Sequence, residues 1–328
     1  MEKKYENSNV LITGGLGFIG SNLTTRLVGT GANVTLFDSL EPKYGGSLFN
    51  ISSVKKEINI INNDIRDSKE LQRSVENQDY IFHLAAQLSR PVSVNKPIYD
   101  SRINCLGSLE LLEAVRQSDS TPSVVYSSSQ AVFGKPTTLP LTENSRENPI
   151  DIYGVNKLAS ERYFYLYHKI HGISTNTLRL TNVYGPRAQL INPKYGVINK
   201  FIRAAIEDNE LTVYEPGTMT RDLVFVYDVV DALMKAGVQD PSGENYIIGS
   251  GKSISIKELA NMIVDIAGSG TVTMTSWPED WDSIQVGDLR FDISKATVEL
   301  DWEPTISLHD GLVETIQFYQ RNKDNYLK

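Results

Sequence analysis

Tyr153-Gly-Val-Asn-Lys157 sets a phenol and an ammonium four residues apart. On a helix that spacing puts both groups on one face, one turn apart. A lysine charge beside a phenol favours the phenolate and draws its pKa below about 10. Such a phenol is a general base usable near neutral pH. A second chemical stretch, Tyr126-Ser127-Ser128-Ser129, follows the apolar pair Val124-Val125. Hydroxyls at the carboxyl end of a parallel strand face the crevice in which open α/β sheets bind ligands. Ser129 is thereby placed to hydrogen-bond a reacting oxygen. Each stretch alone also reads as a solvated helix face or a serine-rich turn, so both depend on what surrounds them.

The element that supplies the surroundings is Val10-Leu-Ile-Thr-Gly-Gly-Leu-Gly-Phe-Ile-Gly20. Apolar and β-branched residues run into glycines, and Ser21-Asn22-Leu23 then opens a helical pattern. The glycines satisfy Gly15-x-Gly17-x-x-Gly20 and also Gly14-x-x-Gly17-x-x-Gly20. The first of them permit a turn at positive φ, and Gly17 lacks a Cβ that would hold a diphosphate off the backbone. Gly20 allows close packing of helix on strand. The helix N-terminus offers N–H groups and partial positive charge to an anion. Asp38 ends the next strand pattern, Asn33-Val-Thr-Leu-Phe37, near the ~20-residue offset at which an acid grips a ribose. A carboxylate there repels a 2′-phosphate, so the pattern favours NAD over NADP.

The chain has 328 residues, 40% hydrophobic and 22% charged, as in soluble globular proteins. No apolar run approaches the ~20 residues of a membrane span. The charged opening Met1–Asn9 reads as no signal peptide. Cys105 is the one cysteine, which excludes an internal disulfide and fits a reducing cytoplasm. A net charge of −8 with no basic face argues against nucleic acid as partner. Four scattered histidines argue against a zinc site.

Strand patterns at Ile58–Ile61, Asp79–Ala86, Ser123–Ser127 and Ser174–Leu180 alternate with helical ones at Ser68–Glu76, Asp100–Gln117 and Tyr153–His171. Alternation of this kind predicts a parallel, doubly wound (Rossmann) α/β sheet covered on both faces. Beyond it, helices are expected at Val197–Asp208, Ser255–Ala267 and Leu308–Tyr319, a strand at Leu211–Tyr214, and a strand turning into a helix over Asp222–Gly237. The expected division is a dinucleotide-binding domain over 1–181, with 222–249 returning to it. A smaller mixed α/β substrate lobe over 182–328 closes on the strand ends.

With these pieces in order, the chain resembles the extended short-chain dehydrogenase/reductase family, in its nucleotide-sugar epimerase/dehydratase branch. The resemblance rests on Thr13–Gly20, His83-Leu-Ala-Ala86, Asn104, Ser127–Ser129, Tyr153-x-x-x-Lys157, Arg179–Pro186 and Arg221-Asp222. It implies a catalytic set of Ser129, Tyr153 and Lys157, and a cofactor, NAD, held by residues from Gly14 to Thr181. Gly14, Gly17 and Gly20 make the turn, and Phe18 and Ile19 lie along the diphosphate. Asp38 and Ser39 stand at the ribose, and Asp64 and Ile65 flank the adenine. Leu84, Ala85 and Ala86 line the groove, with Asn104, Ser127 and Thr181 supporting it beside Tyr153 and Lys157. Asn182, Val197, Tyr214 and Arg221 face the nucleotide sugar, as does Ser129 with Tyr153. The activity implied is inversion at sugar carbon 4 through a transient ketone, on a UDP-glucose or UDP-galactose type of substrate or a related UDP-sugar. The alternatives are a reductase or dehydrogenase with exchangeable NAD(P), and a non-catalytic NAD binder.

Two departures bear on the chemistry. Family dehydratases carry Asp then Glu where this chain has Gln130 and Ala131, which disfavours loss of water. Family decarboxylases usually carry the glutamate as well. A diphosphate-binding arginine common in the family is replaced by Gln285, with Arg290 nearby as a possible substitute. Arg90 and Arg187 could meet a carboxylate, although surface salt bridges are the plainer expectation. The resemblance also implies a homodimer through the helices holding Asn104 and Tyr153, with Ile103, Leu106, Leu109, Leu111, Leu112, Leu158, Phe164, Tyr165 and Leu166 as apolar candidates.

Overall fold

The structure is a computed structural model that describes residues 1–191, 196–240, 243–277 and 286–327, apart from the Lys43 side chain. Its centre is a seven-stranded parallel sheet in the order β10-β6-β5-β4-β1-β2-β3. These strands are β1 (Asn9–Thr13), β2 (Asn33–Asp38), β3 (Asn59–Asn62), β4 (Tyr80–His83), β5 (Ser123–Ser129), β6 (Thr175–Leu180) and β10 (Asn245–Ile248). β1 lies between β2 and β4, pairing Thr13 with Phe37 on one side and with His83 on the other. The direction of winding reverses there, which opens the crevice at the carboxyl ends of the strands.

Alternation along β1 divides the core. Val10 and Ile12 pack with Leu23 of α1 (Phe18–Val28) on one face of the sheet. Leu11 packs with Leu111, Leu112 and Phe164 on the other. That second face is covered by α2 (Ser68–Ser74) and by the helices around Asn104 and Tyr153. The first of these was expected as one helix over Asp100–Gln117. That span is helical throughout, preceded by α3 (Arg90–Asn95) and made of the end of α4 (Pro97–Ser101), a π turn (Arg102–Leu106) and α5 (Gly107–Gln117). Asn104 lies in the π turn, where its carbonyl accepts from the Ser108 and Ser160 hydroxyls at 2.9 and 2.7 Å. A wide turn of this kind frees a carbonyl for side chains. The partner helix, α6 (Ile152–His171), begins at Asp151, whose Oδ1 accepts from Gly154 N at 2.8 Å as an N-cap.

The rest of the chain builds a second core and lends two elements to the sheet. β7 (Asn182–Tyr184) and β9 (Thr220–Phe225) form a small sheet with β11 (Ser253–Ser255), and β8 (Glu210–Tyr214) pairs with β12 (Thr271–Thr275). α7 (Val197–Ile206), α9 (Ile256–Ala267) and α11 (Leu308–Arg321) pack Phe201, Ile263 and Ile316 into one cluster. The expected strand-to-helix passage is β9 running into α8 (Val226–Val238), which packs on α1 and the large sheet before β10 joins that sheet beside β6. Two short helices, α10 (Ser294–Glu299) and α12 (Lys323–Tyr326), complete the described elements.

Candidate active site

The turn after β1 is built from three glycines with different duties. Gly14 has φ +74°, and a Cβ there would lie 2.8 Å from Ala85 N. A Cβ on Gly20 would lie 2.2 Å from Gly14 O. Both are small because the protein itself fills the space. Gly17 is different: its nearest neighbour would be Gly14 O at 3.4 Å, ordinary contact, yet it lines the cavity above the turn. Its missing Cβ leaves room for a ligand. Gly17 also precedes α1 without a side-chain cap, so the N–H groups of Phe18, Ile19 and Gly20 are left for that ligand. The wall therefore fits a dinucleotide diphosphate.

The cavity, about 270 Å³, runs from this turn to Tyr153. At one end Asp38 Oδ2 accepts from Leu16 N at 2.9 Å and Oδ1 from Leu40 N at 2.8 Å. Burial pushes the Asp38 carboxyl above its usual pKa, and these two N–H groups oppose the shift. Ser39 is exposed beside it on the rim. Asp64 grips Arg66 through two bonds of 2.7 Å, and that fork holds its carboxyl below the usual range. Ile65, Leu84, Ala85 and Ala86 complete the apolar wall. Behind it His83 lies between Thr13 Oγ1 at 2.8 Å and Ser108 Oγ at 3.0 Å. Burial, then the Lys157 charge, pushes its pKa down to about 3, so the ring is neutral.

At the other end Ser129 closes β5 and Tyr153 stands in the first turn of α6, and both line the cavity. Lys157, 3% exposed, donates from Nζ to Ser127 O at 2.9 Å and lies 5.9 Å from the Tyr153 ring centre. The Ser127 hydroxyl donates to His83 O at 3.2 Å. One expectation is corrected here. The lysine does not draw the phenol below its ordinary value: burial pushes Tyr153 up to about 12, with the neighbouring Ser129 hydroxyl as the main opposition. Burial also brings Lys157 down to about 8, against the pull of Asp100 and Glu161. Desolvation outweighs the pair's mutual help because both groups are enclosed and Nζ is turned to a carbonyl.

A second cleft, about 420 Å³, shares Ser129, Tyr153 and Thr181 with the first, so the two meet at the phenol. Val197, Asn182, Gln130 and Arg221 line it. Arg221 donates to Thr220 O and Gly287 O, each at 2.7 Å, and no carboxylate pairs with it among the described residues. Burial pushes its pKa down to about 10. It is a cation with fork atoms to spare, suited to a phosphate. Asn182 donates to Asp222 O at 3.0 Å and accepts from Gln130 Nε2 at 3.0 Å. Gln130 Oε1, shielded from water, takes no hydrogen bond.

Several expected residues stand elsewhere. Asn104 lies behind the wall, with Nδ2 on Gln87 O and Oδ1 on Gln87 N, both at 2.8 Å; its amide shapes the loop after β4 and does not line the cavity. Tyr214 is stacked on Trp277 at 4.4 Å, away from the cleft wall. Arg290 is exposed and off the wall, while its neighbour Leu289 lines the cleft, as alternation along an extended segment requires. Gln285 lies outside the described residues. Arg187 packs on α1, donating to Ser21 O, Asn22 Oδ1 and Thr25 Oγ1. Arg90 lines the second cleft but is tied to Asp151, the cap of the helix that carries Tyr153. Sequence reading missed Asp151, although Asp followed by a helical pattern is a start signal.

Residues 11–315 match the sequence model of the family described as GDP-mannose 4,6 dehydratase. The chain belongs to that family. Among its members, a UDP-glucose 4-epimerase of Mycolicibacterium smegmatis is 34% identical over 317 residues, covering 95% of this chain and 98% of that one. The solved UDP-glucose 4-epimerase of Thermotoga maritima with UDP-glucose has 30% identity and a TM-score of 0.88, covering 96% of this chain and 99% of its own. MoeE5 in complex with UDP-glucose and NAD has 29% identity and a TM-score of 0.83, covering 96% and 99%.

Proposed function

We propose that this protein is an NAD-dependent nucleotide-sugar 4-epimerase acting on a UDP-linked hexose of the glucose/galactose kind. The observation that carries the reading is the position of Tyr153, which with Ser129 lines both the dinucleotide cavity and the cleft of Arg221 where the two meet. Relatives of both functional kinds support it, as 4-epimerases and as an NAD complex with a UDP-sugar. In this reading 1–181 with 222–249 forms the cofactor unit and 182–328 the sugar unit.

NAD, when bound, accepts a hydride from sugar carbon 4 and supplies one back. The chain's own groups do the rest. Ser129 orients the 4-hydroxyl, and Tyr153, acting as phenolate, takes its proton and later returns it. The protonated Lys157, with the positive charge that an oxidised nicotinamide would bring beside the phenol, favours that phenolate, and Lys157 would hold the cofactor's ribose. Arg221 and Asn182 hold the diphosphate end while the sugar turns. The buried phenol excludes water, which protects the intermediate ketone. Gln130 and Ala131 provide no acid or base, so the chemistry stops at redox and proton transfer and does not extend to loss of water.

Incubation with UDP-glucose and no added cofactor, followed by NMR, tests this. UDP-galactose as product is expected. Formation of a 4-keto-6-deoxy sugar, or turnover only with added NAD(P)H, would overturn it.

The same reading makes the protein a homodimer in the cytoplasm, with no nucleic-acid or membrane partner. Ile103, Leu111, Leu112 and Phe164 are buried against the chain's own sheet, whereas Leu106, Tyr165 and Leu166 are 50, 41 and 45% exposed. Those three, on neighbouring helices, are the surface a second copy would cover. Among the described residues no helix is long and apolar enough to cross a membrane.

A further inference from the structure

Leu16, between the glycines of the phosphate turn, has both backbone groups held by side chains. Its N–H donates to Asp38 Oδ2 and its carbonyl accepts from Asn50 Nδ2, each at 2.9 Å, and that carbonyl also accepts from Ser47 N at 3.1 Å. Asn50 is 2% exposed and sits in a short 3-10 turn, Leu48–Ile51. Its Nδ2 also donates, at 3.3 Å, to Gly45 O in the strap whose Tyr44 and Gly46 line the dinucleotide cavity. Two carbonyls can only accept, so the amide nitrogen must face them and Oδ1 must face away. There Tyr326 of α12 donates its phenol hydrogen at 2.5 Å. The Tyr326 ring is enclosed by Phe49, Phe318 and Tyr319, at 5.8, 5.3 and 5.3 Å between centres.

A second tie approaches α1 from the same lobe. Asn22 Nδ2 donates to Pro186 O at 3.1 Å, and Arg187 binds the first turns of α1. That segment is fastened to α11 by Tyr319, whose hydroxyl donates to Gly185 O at 3.1 Å and Ala188 O at 2.7 Å. The helices of the smaller core thus reach the phosphate turn from two sides.

We propose that Asn50 and Tyr326 are positioning residues for the cofactor. They fix the Leu16 carbonyl and the strap at Gly45, which keeps the α1 N–H groups aimed at the diphosphate and sets how long NAD stays bound. This rests on the NAD reading above. It matters for that chemistry, because an enzyme that returns the hydride it removes must keep its cofactor between the two transfers.

The test is the rate at which NAD leaves the loaded protein, followed without any sugar. Tyr326→Phe keeps the ring and removes one hydrogen bond, so NAD loss should quicken about five- to tenfold. Asn50→Ala, which cuts both ties, should exceed that. KM for the nucleotide sugar, and kcat with saturating NAD added, should stay within about twofold of wild type for Tyr326→Phe, because the tie does not touch the sugar cleft. Tyr5→Phe is the control: it removes a buried phenol bond of 2.7 Å to Met234 O of α8, and should leave NAD release unchanged. NAD held by Tyr326→Phe as firmly as by wild type overturns the proposal, as does equal loss in Tyr5→Phe. Wild-type protein that binds no NAD overturns the function proposed above and this inference with it.

Discussion

The two ends of the active cleft are built differently. The phosphate-binding part of the dinucleotide end is made by one continuous strand-turn-helix, and its key groups are backbone N–H groups that need only glycines in the right places. The sugar end is assembled from Gln130, Asn182, Val197, Arg221 and Leu289, which come from five separate segments. At the first end geometry is local, so the motif nearly specifies the site. At the second, a residue's type says little until the fold decides which way it points. Arg221 and Arg290 are both arginines near the expected diphosphate, yet only Arg221 lines the cleft.

Substitutions can break or sharpen this contrast. The largest effect is expected at Gly20. Gly20→Ala drives a Cβ to 2.2 Å from Gly14 O, and the turn must move. A loss of stability above about 2 kcal/mol in urea unfolding is expected. Gly17→Ala meets nothing closer than 3.4 Å, so it should melt near wild type while NAD affinity falls sharply in calorimetric titration. Equal behaviour of the two variants would erase the distinction between a glycine the fold needs and one the ligand needs.

At the sugar end, Arg221→Met should raise KM for the nucleotide sugar about 10- to 100-fold, with NAD binding unchanged, because charge-assisted bonds to a phosphate are lost. An effect that is absent near neutral pH and appears only on acidification comes from His83. Its folded pKa of about 3 is below the unfolded value of 6.5, so the unfolded chain binds the extra proton between those two pH values. Stability therefore falls as pH drops through that window, by at most about 1.4 kcal/mol per pH unit from this group. His83→Gln should flatten that part of a stability-pH curve measured by denaturant. The smallest effect is expected for Arg290→Ala, exposed and off the wall, with kinetics and stability within about 0.5 kcal/mol of wild type.

How far the sequence could be read follows the same divide. The parallel sheet, Gly14–Gly20, Asp38 and the Ser129–Tyr153–Lys157 set were legible because apolar strands, a glycine turn and i, i+4 spacing are short-range patterns. β7 and β11, three residues each, were not, since so short a run carries no period. The π turn at Asn104 was hidden because it leaves the apolar pattern of its helix almost intact. The stacking of Tyr214 on Trp277 was not legible either, because the two lie on different strand connections. The pKa of Tyr153 was misjudged for a different reason: spacing reveals a neighbouring charge but not the depth of burial, and burial dominates.

The most direct measurement is the near-ultraviolet absorbance of reduced nicotinamide after mixing a UDP-hexose with NAD-loaded protein, wild type against Tyr153→Phe. The account requires that the variant bind NAD normally and reduce it about 10²- to 10⁴-fold more slowly, the range a positioned acid-base group contributes. A Tyr153→Phe protein that reduces its NAD as fast as wild type contradicts it.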